Sequence, residues 1–198
     1  MSRLRFGRID RAVLRAVLWI AAAVSAAFAV VVPAWGAVSG RSIRVASWLE
    51  ASAPDLVGVS GVAIDNPADV VVVVDEPTAG DRLLDMAPGL VTACAVVLVV
   101  IMLDRVLRDI GHGEPFSTGN VTRLRVTALA IMVGSAAEAA LDAITGMVIT
   151  GNHFPPDLPA RASFELPLGW IAGGLVVAAI AEAFAHGTKL RQDVEGLV

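Results

Sequence analysis

Residues 126–149 read VTALAIMVGSAAEAALDAITGMVI, an apolar run that would be about 36 Å long as a helix and could cross a bilayer. The run nevertheless carries Glu138 and Asp142 near its middle. Residues four apart lie on one face of a helix, so these two carboxylates are expected to be neighbours. An acidic group at membrane depth costs at least about 2.5 kcal/mol unless a partner offsets that cost. The stretch therefore predicts a membrane helix whose polar groups require an explanation.

The composition extends this prediction to the whole chain. Apolar residues make up 56% of the 198 residues and charged residues only 17%, and the mean hydropathy is +0.73. These values lie outside the range of ordinary soluble domains, so the excess apolar surface is expected to face lipid. Several spans of about 20 residues leave little chain for a separate soluble domain. We therefore expect a single membrane domain.

Four long apolar runs predict an all-α membrane protein, a four-helix transmembrane bundle. Pro33 is expected to end the first helix near the outer surface. A cleaved signal peptide is the alternative interpretation of the arginine-rich start, but its apolar core is longer than most such segments. The predicted spans are residues 13–32, 86–103, 126–149 and 168–185. The i,i+4 spacing also predicts two side-chain pairs near the span ends, Asp104 with Arg108 and Glu182 with His186.

The segment 39–85 differs from the spans and is rich in acidic residues. Valine-rich runs at 56–64 and 70–74 flank a turn-forming segment at 65–69. Branched residues on either side of such a segment predict a pair of strands. We therefore expect a small β-containing insertion between the first two helices, on the extracytoplasmic side.

The distribution of basic residues predicts the orientation. Eleven Lys and Arg lie in the N-terminal segment, the 104–125 loop and the 186–198 tail, and four lie in the other loops. The positive-inside rule then places both termini and the 104–125 loop in the cytoplasm. The expected location is the cytoplasmic (inner) membrane.

Two motifs at the predicted cytoplasmic end carry a family resemblance. One is the run GEPFSTGN at 113–120, a turn in which Ser117 and Asn120 are candidates to cap the next helix. The other is the tail AEAFAHGTKLRQDVEGLV at 181–198. Both motifs resemble the bacterial membrane family catalogued as domain of unknown function 2975 (DUF2975), over nearly the whole chain. The assigned motif residues are Gly113, Glu114, Pro115, Phe116, Ser117 and Asn120 in the loop, and Glu182, Phe184, Gly187, Leu190, Arg191, Asp193 and Val198 in the tail.

The resemblance implies a topology and a partner. Members of the family are four-helix membrane proteins, and many are encoded beside a small helix-turn-helix transcription regulator. The family has no established activity, so the resemblance supplies no catalytic residues. Because the chain has no basic recognition helix of its own, we expect any contact with nucleic acid to be made by the partner.

Glu138 and Asp142 allow two interpretations. Without an obvious cationic partner at their depth, at least one of them would favour its protonated form, as in a proton or cation site. Alternatively, they form hydrogen bonds across the bundle to Ser25, Thr92, Thr145 or backbone groups and so fix the order of the helices. We favour the structural interpretation, because a four-span chain has little room for the repeats that transporters use.

No pattern in the sequence indicates an enzyme, a metal or another cofactor. The acids at 65, 69, 75, 76, 81 and 85 do not follow a calcium-loop spacing. The three histidines lie at or beyond the ends of the spans, so they do not form a facing pair for haem. With one cysteine, a Cys/His zinc pattern is absent as well.

These observations leave three functional hypotheses. The leading hypothesis is a non-enzymatic protein of regulatory or sensing type that presents the 104–125 loop and the tail to a cytoplasmic partner. The second is a small transporter that uses Glu138 and Asp142. The third is a structural subunit of a membrane complex, and glycines at 169, 173 and 174 would also permit a homo-oligomer by close helix packing.

Overall fold

The fold consists of four long helices with a small sheet inserted after the first. In a computed structural model, residues 8–49, 68–153, 160–161 and 164–195 are described. The predicted all-α membrane fold with a β-containing insertion between the first two helices is confirmed. The elements in chain order are α1 (Arg8–Val38), β1 (Ile43–Leu49), β2 (Ala68–Val74), α2 (Ala79–Gly111), α3 (Thr118–His153), β3 (Ala160–Arg161) and α4 (Leu168–Glu195).

All four helices are long and apolar enough to cross a membrane. Each one contains a predicted span and continues beyond it. The 33 residues of α2, for example, extend about 50 Å, whereas the hydrocarbon core of a bilayer is about 30 Å thick. Helix α2 therefore extends beyond the charge-free run at 86–103 on both sides, and Asp81 and Asp104 lie outside that run.

The predicted end of the first helix at Pro33 is wrong. Helix α1 continues through Pro33 to Val38, and the chain then turns at Gly40, whose φ is 66°. The Arg41 N–H donates to the Gly36 carbonyl oxygen at 3.0 Å, which satisfies one of the last carbonyl groups of the helix. Glycine adopts this left-handed conformation easily and proline is tolerated in membrane helices, so the glycine ends α1.

The predicted strand at 70–74 is confirmed as part of β2. The strand that pairs with it, β1, was not predicted. β2 pairs antiparallel with β1, residue 43 opposite residue 74, and β1 also pairs with β3. The predicted partner at 56–64 lies outside the described residues. Residues 68 and 69, which we assigned to the turn, belong to β2.

The chain divides into two compact units. The first comprises residues 1–29, 90–136 and 167–198, and the second comprises residues 30–89 and 137–166. In the second unit, Ile43, Val45 and Val74 form the apolar side of the sheet and pack with Ile149, which is fully buried. Helix α3 thus covers the sheet with the last residue of its predicted span.

Polar contacts also hold the second unit together. Thr78 and Asp81 form a reciprocal capping box at the start of α2, with the Thr78 N–H donating to Asp81 Oδ2 at 2.9 Å. His153 Nε2 lies 2.9 Å from the same oxygen. The hydrogen bond with His153, followed by those with Thr78, holds the pKa of Asp81 below its ordinary value. One of the acids of the segment 39–85 is therefore a structural cap.

The first unit is a bundle of segments from all four helices. Val106, Leu124 and Ala181 are buried together, and Phe184 packs against them. Two glycines allow close approach, because a Cβ at residue 134 would lie 2.7 Å from the Cβ of Ala95, and a Cβ at residue 174 would collide with the Met132 side chain. Small residues at helix contacts are typical of membrane bundles.

The three glycines proposed for self-association differ in their surroundings. Gly174 packs within the chain, and a Cβ there would also lie 3.1 Å from the Ala128 carbonyl oxygen. At Gly169 and Gly173, a Cβ would meet no atom of the described residues within 4 Å. Self-association therefore stays a prediction for those two positions.

We expect Gly174→Ala to lower the free energy of unfolding by about 1–3 kcal/mol, because the added methyl group must displace Met132 or α3. Gly173→Ala is the matched control and should change stability by no more than about 1 kcal/mol. Thermal unfolding of the purified protein in detergent measures both. Equal stability of the two variants would contradict the packing described.

Candidate functional site

The loop motif begins as the C-terminal cap of α2. Gly113 has a φ of 86°, and the Gly113 N–H donates to the Ile110 carbonyl oxygen at 3.2 Å. The Glu114 N–H donates to the Asp109 carbonyl oxygen at 3.0 Å. This pair of hydrogen bonds around a left-handed residue is a Schellman motif, in which glycine is the preferred residue. Gly113 therefore sets the direction in which the chain leaves α2.

Ser117 caps α3, as predicted, and Asn120 has a different role. The Asn120 N–H donates to Ser117 Oγ at 3.2 Å, and α3 begins at Thr118. The Asn120 side chain is fully buried and its Nδ2 donates to the carbonyl oxygens of Glu114 and Pro115, both at 3.2 Å. Asn120 thus fixes the loop between the two helices.

Arg123 connects this loop to the end of α2. Its Nη1 donates to Asn120 Oδ1 at 2.7 Å and also pairs with the Asp109 carboxylate. Because Asp109 lies in the last turn of α2 and Arg123 in the second turn of α3, the pair ties the two helix ends together. The turn is thereby held by side chains from both of its flanking helices.

The loop motif and the tail motif are in contact. The rings of Phe116 and Phe184 lie 5.3 Å apart at an interplanar angle of 46°. A Cβ at Gly187 would lie 2.7 Å from the Phe116 ring, so only a glycine leaves room for the ring in this position. Phe116 is still 41% exposed. The two motifs therefore form one surface, which we call the loop–tail surface (residues 113–120 and 182–193).

The remaining tail residues extend this surface along α4. Arg125 Nη2 lies 3.1 Å from Glu182 Oε2. The predicted pair of Glu182 with His186 is confirmed, with His186 Nδ1 at 3.7 Å from a Glu182 carboxylate oxygen. Leu190, Arg191 and Asp193 are exposed, and Val198 lies outside the described residues.

A buried carboxylate at the same end of the bundle joins α1 to α2. Asp104 accepts hydrogen bonds from Arg15 Nε and from Arg108 Nη2, the latter at 2.6 Å. The pairing of Asp104 with Arg108 was expected from their spacing, but the pairing with Arg15, which is 89 residues away, was not. Burial raises the pKa of Asp104, but the hydrogen bonds from the two arginines outweigh burial and hold the pKa below its ordinary value.

Glu138 and Asp142 lie in the second unit, on the part of α3 that approaches the sheet. The side chain of Glu138 is half-buried and that of Asp142 is exposed. Thr145, a predicted partner, instead donates to the Leu84 carbonyl oxygen at 3.1 Å. Within the described ranges, neither carboxylate accepts a hydrogen bond or forms an ion pair. The predicted interhelical contact is thus wrong for Thr145.

The described residues do not bring three His, Cys, Asp or Glu side chains together in a way that could hold a metal ion. In the segment 39–85, Asp75 and Glu76 are exposed, and the Asp81 carboxylate already accepts the hydrogen bond from Thr78 that caps α2. The geometry of the described part of the chain therefore concentrates its specific contacts at the loop–tail surface and at Asp104.

The architecture and the comparisons together define the class of protein. Four membrane-length helices make this a multi-pass membrane protein. Residues 66–198 match a family model described as protein of unknown function (DUF2975), and the chain belongs to that family. The matched part contains both motifs, but leaves out α1 and β1, so it is shorter than the resemblance predicted. Neither the curated proteins nor the solved structures contain a match to the chain.

We expect Phe116 and Phe184 to be energetically coupled. In a double-mutant cycle of Phe116→Ala and Phe184→Ala, the coupling in the free energy of unfolding should be about 0.5–1.5 kcal/mol, the contribution of an aromatic pair. The control cycle combines Phe116→Ala with Leu175→Ala, an exposed position on α4 about two and a half turns before Phe184, and should be additive within about 0.5 kcal/mol. Additivity in both cycles would contradict the contact.

We expect Asp104→Asn to lower the free energy of unfolding at pH 7 by about 1–3 kcal/mol, because two charge-assisted hydrogen bonds are weakened. The pKa of Asp104 is lower in the fold than in the unfolded chain. The ionised carboxylate therefore stabilises the fold at any pH above the pKa of Asp in the unfolded chain, about 3.9. This stabilisation is lost as the pH falls through the pKa of Asp104 in the fold.

Unfolding measured from pH 7 to pH 3 tests this expectation. The difference between wild type and Asp104→Asn should shrink below about pH 4. Asp193→Asn, a substitution at an exposed tail residue, is the control and should remain close to wild type at pH 7. A difference that stays constant over the whole range would contradict the role of the carboxylate.

Proposed function

We propose that this chain is a non-enzymatic membrane protein of regulatory or sensing type, and that its loop–tail surface binds a cytoplasmic partner. The observation that supports the proposal is the contact of Phe116 with Phe184 and Gly187, because it makes one surface from the two most distinctive motifs. A small helix-turn-helix transcription regulator is the candidate partner, as the family resemblance implies.

The exposed residues of the loop–tail surface suit a protein partner. Leu190 is 67% exposed and lies three residues after Gly187, so it shares the side of α4 that faces Phe116. Both Phe116 and Leu190 lie beyond the predicted spans at 86–103, 126–149 and 168–185. Large exposed apolar groups outside the membrane are typical anchors of a binding interface, and the flanking charges of Arg125 and Glu182 provide a polar rim.

Sensing requires a connection between the β-containing insertion and the loop–tail surface. Helices α2 and α3 are each continuous and contribute residues to both compact units. In one unit α3 covers the sheet with Ile149, and in the other Arg123 of α3 pairs with Asp109 of α2. Under this proposal, α2 and α3 are the helices that connect the insertion to the loop–tail surface.

Site-specific photo-crosslinking in membranes tests the proposal. A crosslinking residue in place of Leu190 should capture a small helix-turn-helix protein. The matched control is Leu168, which is equally exposed but lies at the opposite end of α4, and it should capture none. Recovery of no helix-turn-helix protein at Leu190, or equal recovery at both positions, would contradict the proposal.

A proton- or cation-linked transporter is the second candidate function. It is favoured by one observation, that neither Glu138 nor Asp142 has an ion-pair partner among the described residues. Vesicles that contain the purified protein and a pH-sensitive dye distinguish the two functions. The regulatory proposal predicts no flux, and a flux that is lost in Glu138→Gln and Asp142→Asn would overturn it in favour of transport.

A further inference from the structure

The group around Asp104 is unbalanced in charge. One carboxylate, only 3% exposed, accepts hydrogen bonds from two guanidinium groups, those of Arg15 on α1 and Arg108 on α2. Arg105, next in sequence to Asp104, is exposed and forms no ion pair with the described residues. Arg105 and Arg108 are three residues apart and share a side of α2. Two cations thus contact one anion, and Arg105 adds a third cation on the adjacent part of α2, which leaves an excess of positive charge for another ligand.

The unused hydrogen-bond donors of this group point to the chemistry of the ligand. Each guanidinium group carries five N–H donors. Arg15 uses Nε and Arg108 uses Nη2 on Asp104, and the two side chains remain 41% and 55% exposed. Asp104 therefore holds two arginines from different helices in fixed positions with most of their donors still available. Arginine pairs held in this way suit the several oxygens of a phosphate group.

The position of the group along α2 points to the source of the phosphate. Asp104 and Arg105 follow directly after the last residue of the charge-free run at 86–103. Arg15 is the third residue of the predicted span 13–32, close to the start of that span. The guanidinium groups therefore lie at the predicted edge of the hydrocarbon core, at the depth of lipid headgroups. Towards the middle of the membrane the same two helices present exposed apolar side chains, among them Val17 and Leu98, against which acyl chains can lie.

We infer that Arg15, Arg105 and Arg108 form a binding site for the phosphate headgroup of an anionic phospholipid. The site contains one buried carboxylate that orients two of its three cations, so its net charge is positive and suits a singly charged lipid phosphate. The lipid would link α1, which lies outside the family match, to α2, which lies within it. This inference is independent of the identity of the cytoplasmic partner.

Lipid titration of the full chain in detergent tests the inference. Phosphatidylglycerol should bind to wild type and raise its unfolding temperature more than phosphatidylcholine does. Arg105→Gln should weaken binding of phosphatidylglycerol by about fivefold, the contribution of one basic residue near an anionic lipid surface. Since Arg105 has no ion-pair partner among the described residues, this substitution should leave the fold intact.

The matched control is Arg44→Gln, which removes an exposed arginine from β1 in the other unit and should retain wild-type lipid binding. Equal binding of the two lipids to wild type would overturn the inference. An equal loss of affinity for phosphatidylglycerol in Arg105→Gln and Arg44→Gln would overturn it as well. Inorganic phosphate is titrated in parallel. If inorganic phosphate without lipid raises the unfolding temperature as much as phosphatidylglycerol does, the site binds a soluble anion and the lipid assignment is wrong.

Discussion

The buried carboxylate of Asp104 is the interaction on which one end of the protein depends. A buried charge costs several kcal/mol unless it is paired and hydrogen-bonded, and here Arg15 and Arg108 supply both forms of compensation. The pairing fixes α1 against α2 directly after the charge-free run at 86–103. It also fixes the last turns of α2, from which Gly113 directs the loop and Asp109 pairs with Arg123.

The two motifs of the family resemblance combine structure with recognition. Gly113, Asn120 and Gly187 are explained by local geometry, since they cap a helix, brace a turn and leave room for a ring. Phe116 and Leu190 are different, because they lie beyond the predicted spans and much of each side chain stays exposed. The buried residues hold the loop–tail surface in shape, and the exposed residues are the ones available to a partner.

Periodicity and charge spacing predicted the parts of this structure that depend on local chemistry. The four helices follow from apolar run length, the Ser117 cap from its position before α3, and the pairs Asp104–Arg108 and Glu182–His186 from i,i+4 spacing. Contacts between distant segments were missed, because no local pattern encodes them. The pairing of β1 with β2, of Arg15 with Asp104, and of Phe116 with Phe184 and Gly187 depends on how the elements pack.

Hydrogen exchange most directly tests the central claim, that the loop and the tail form one coupled surface. The measurement compares the backbone amides of the loop in wild type and in Phe184→Ala. If the Phe184 ring supports Phe116, exchange should speed up at residues 114–121, which lie far from residue 184 in sequence. Exchange should remain unchanged around residue 149, in the other unit. Unaltered loop exchange in a folded Phe184→Ala protein would contradict the account.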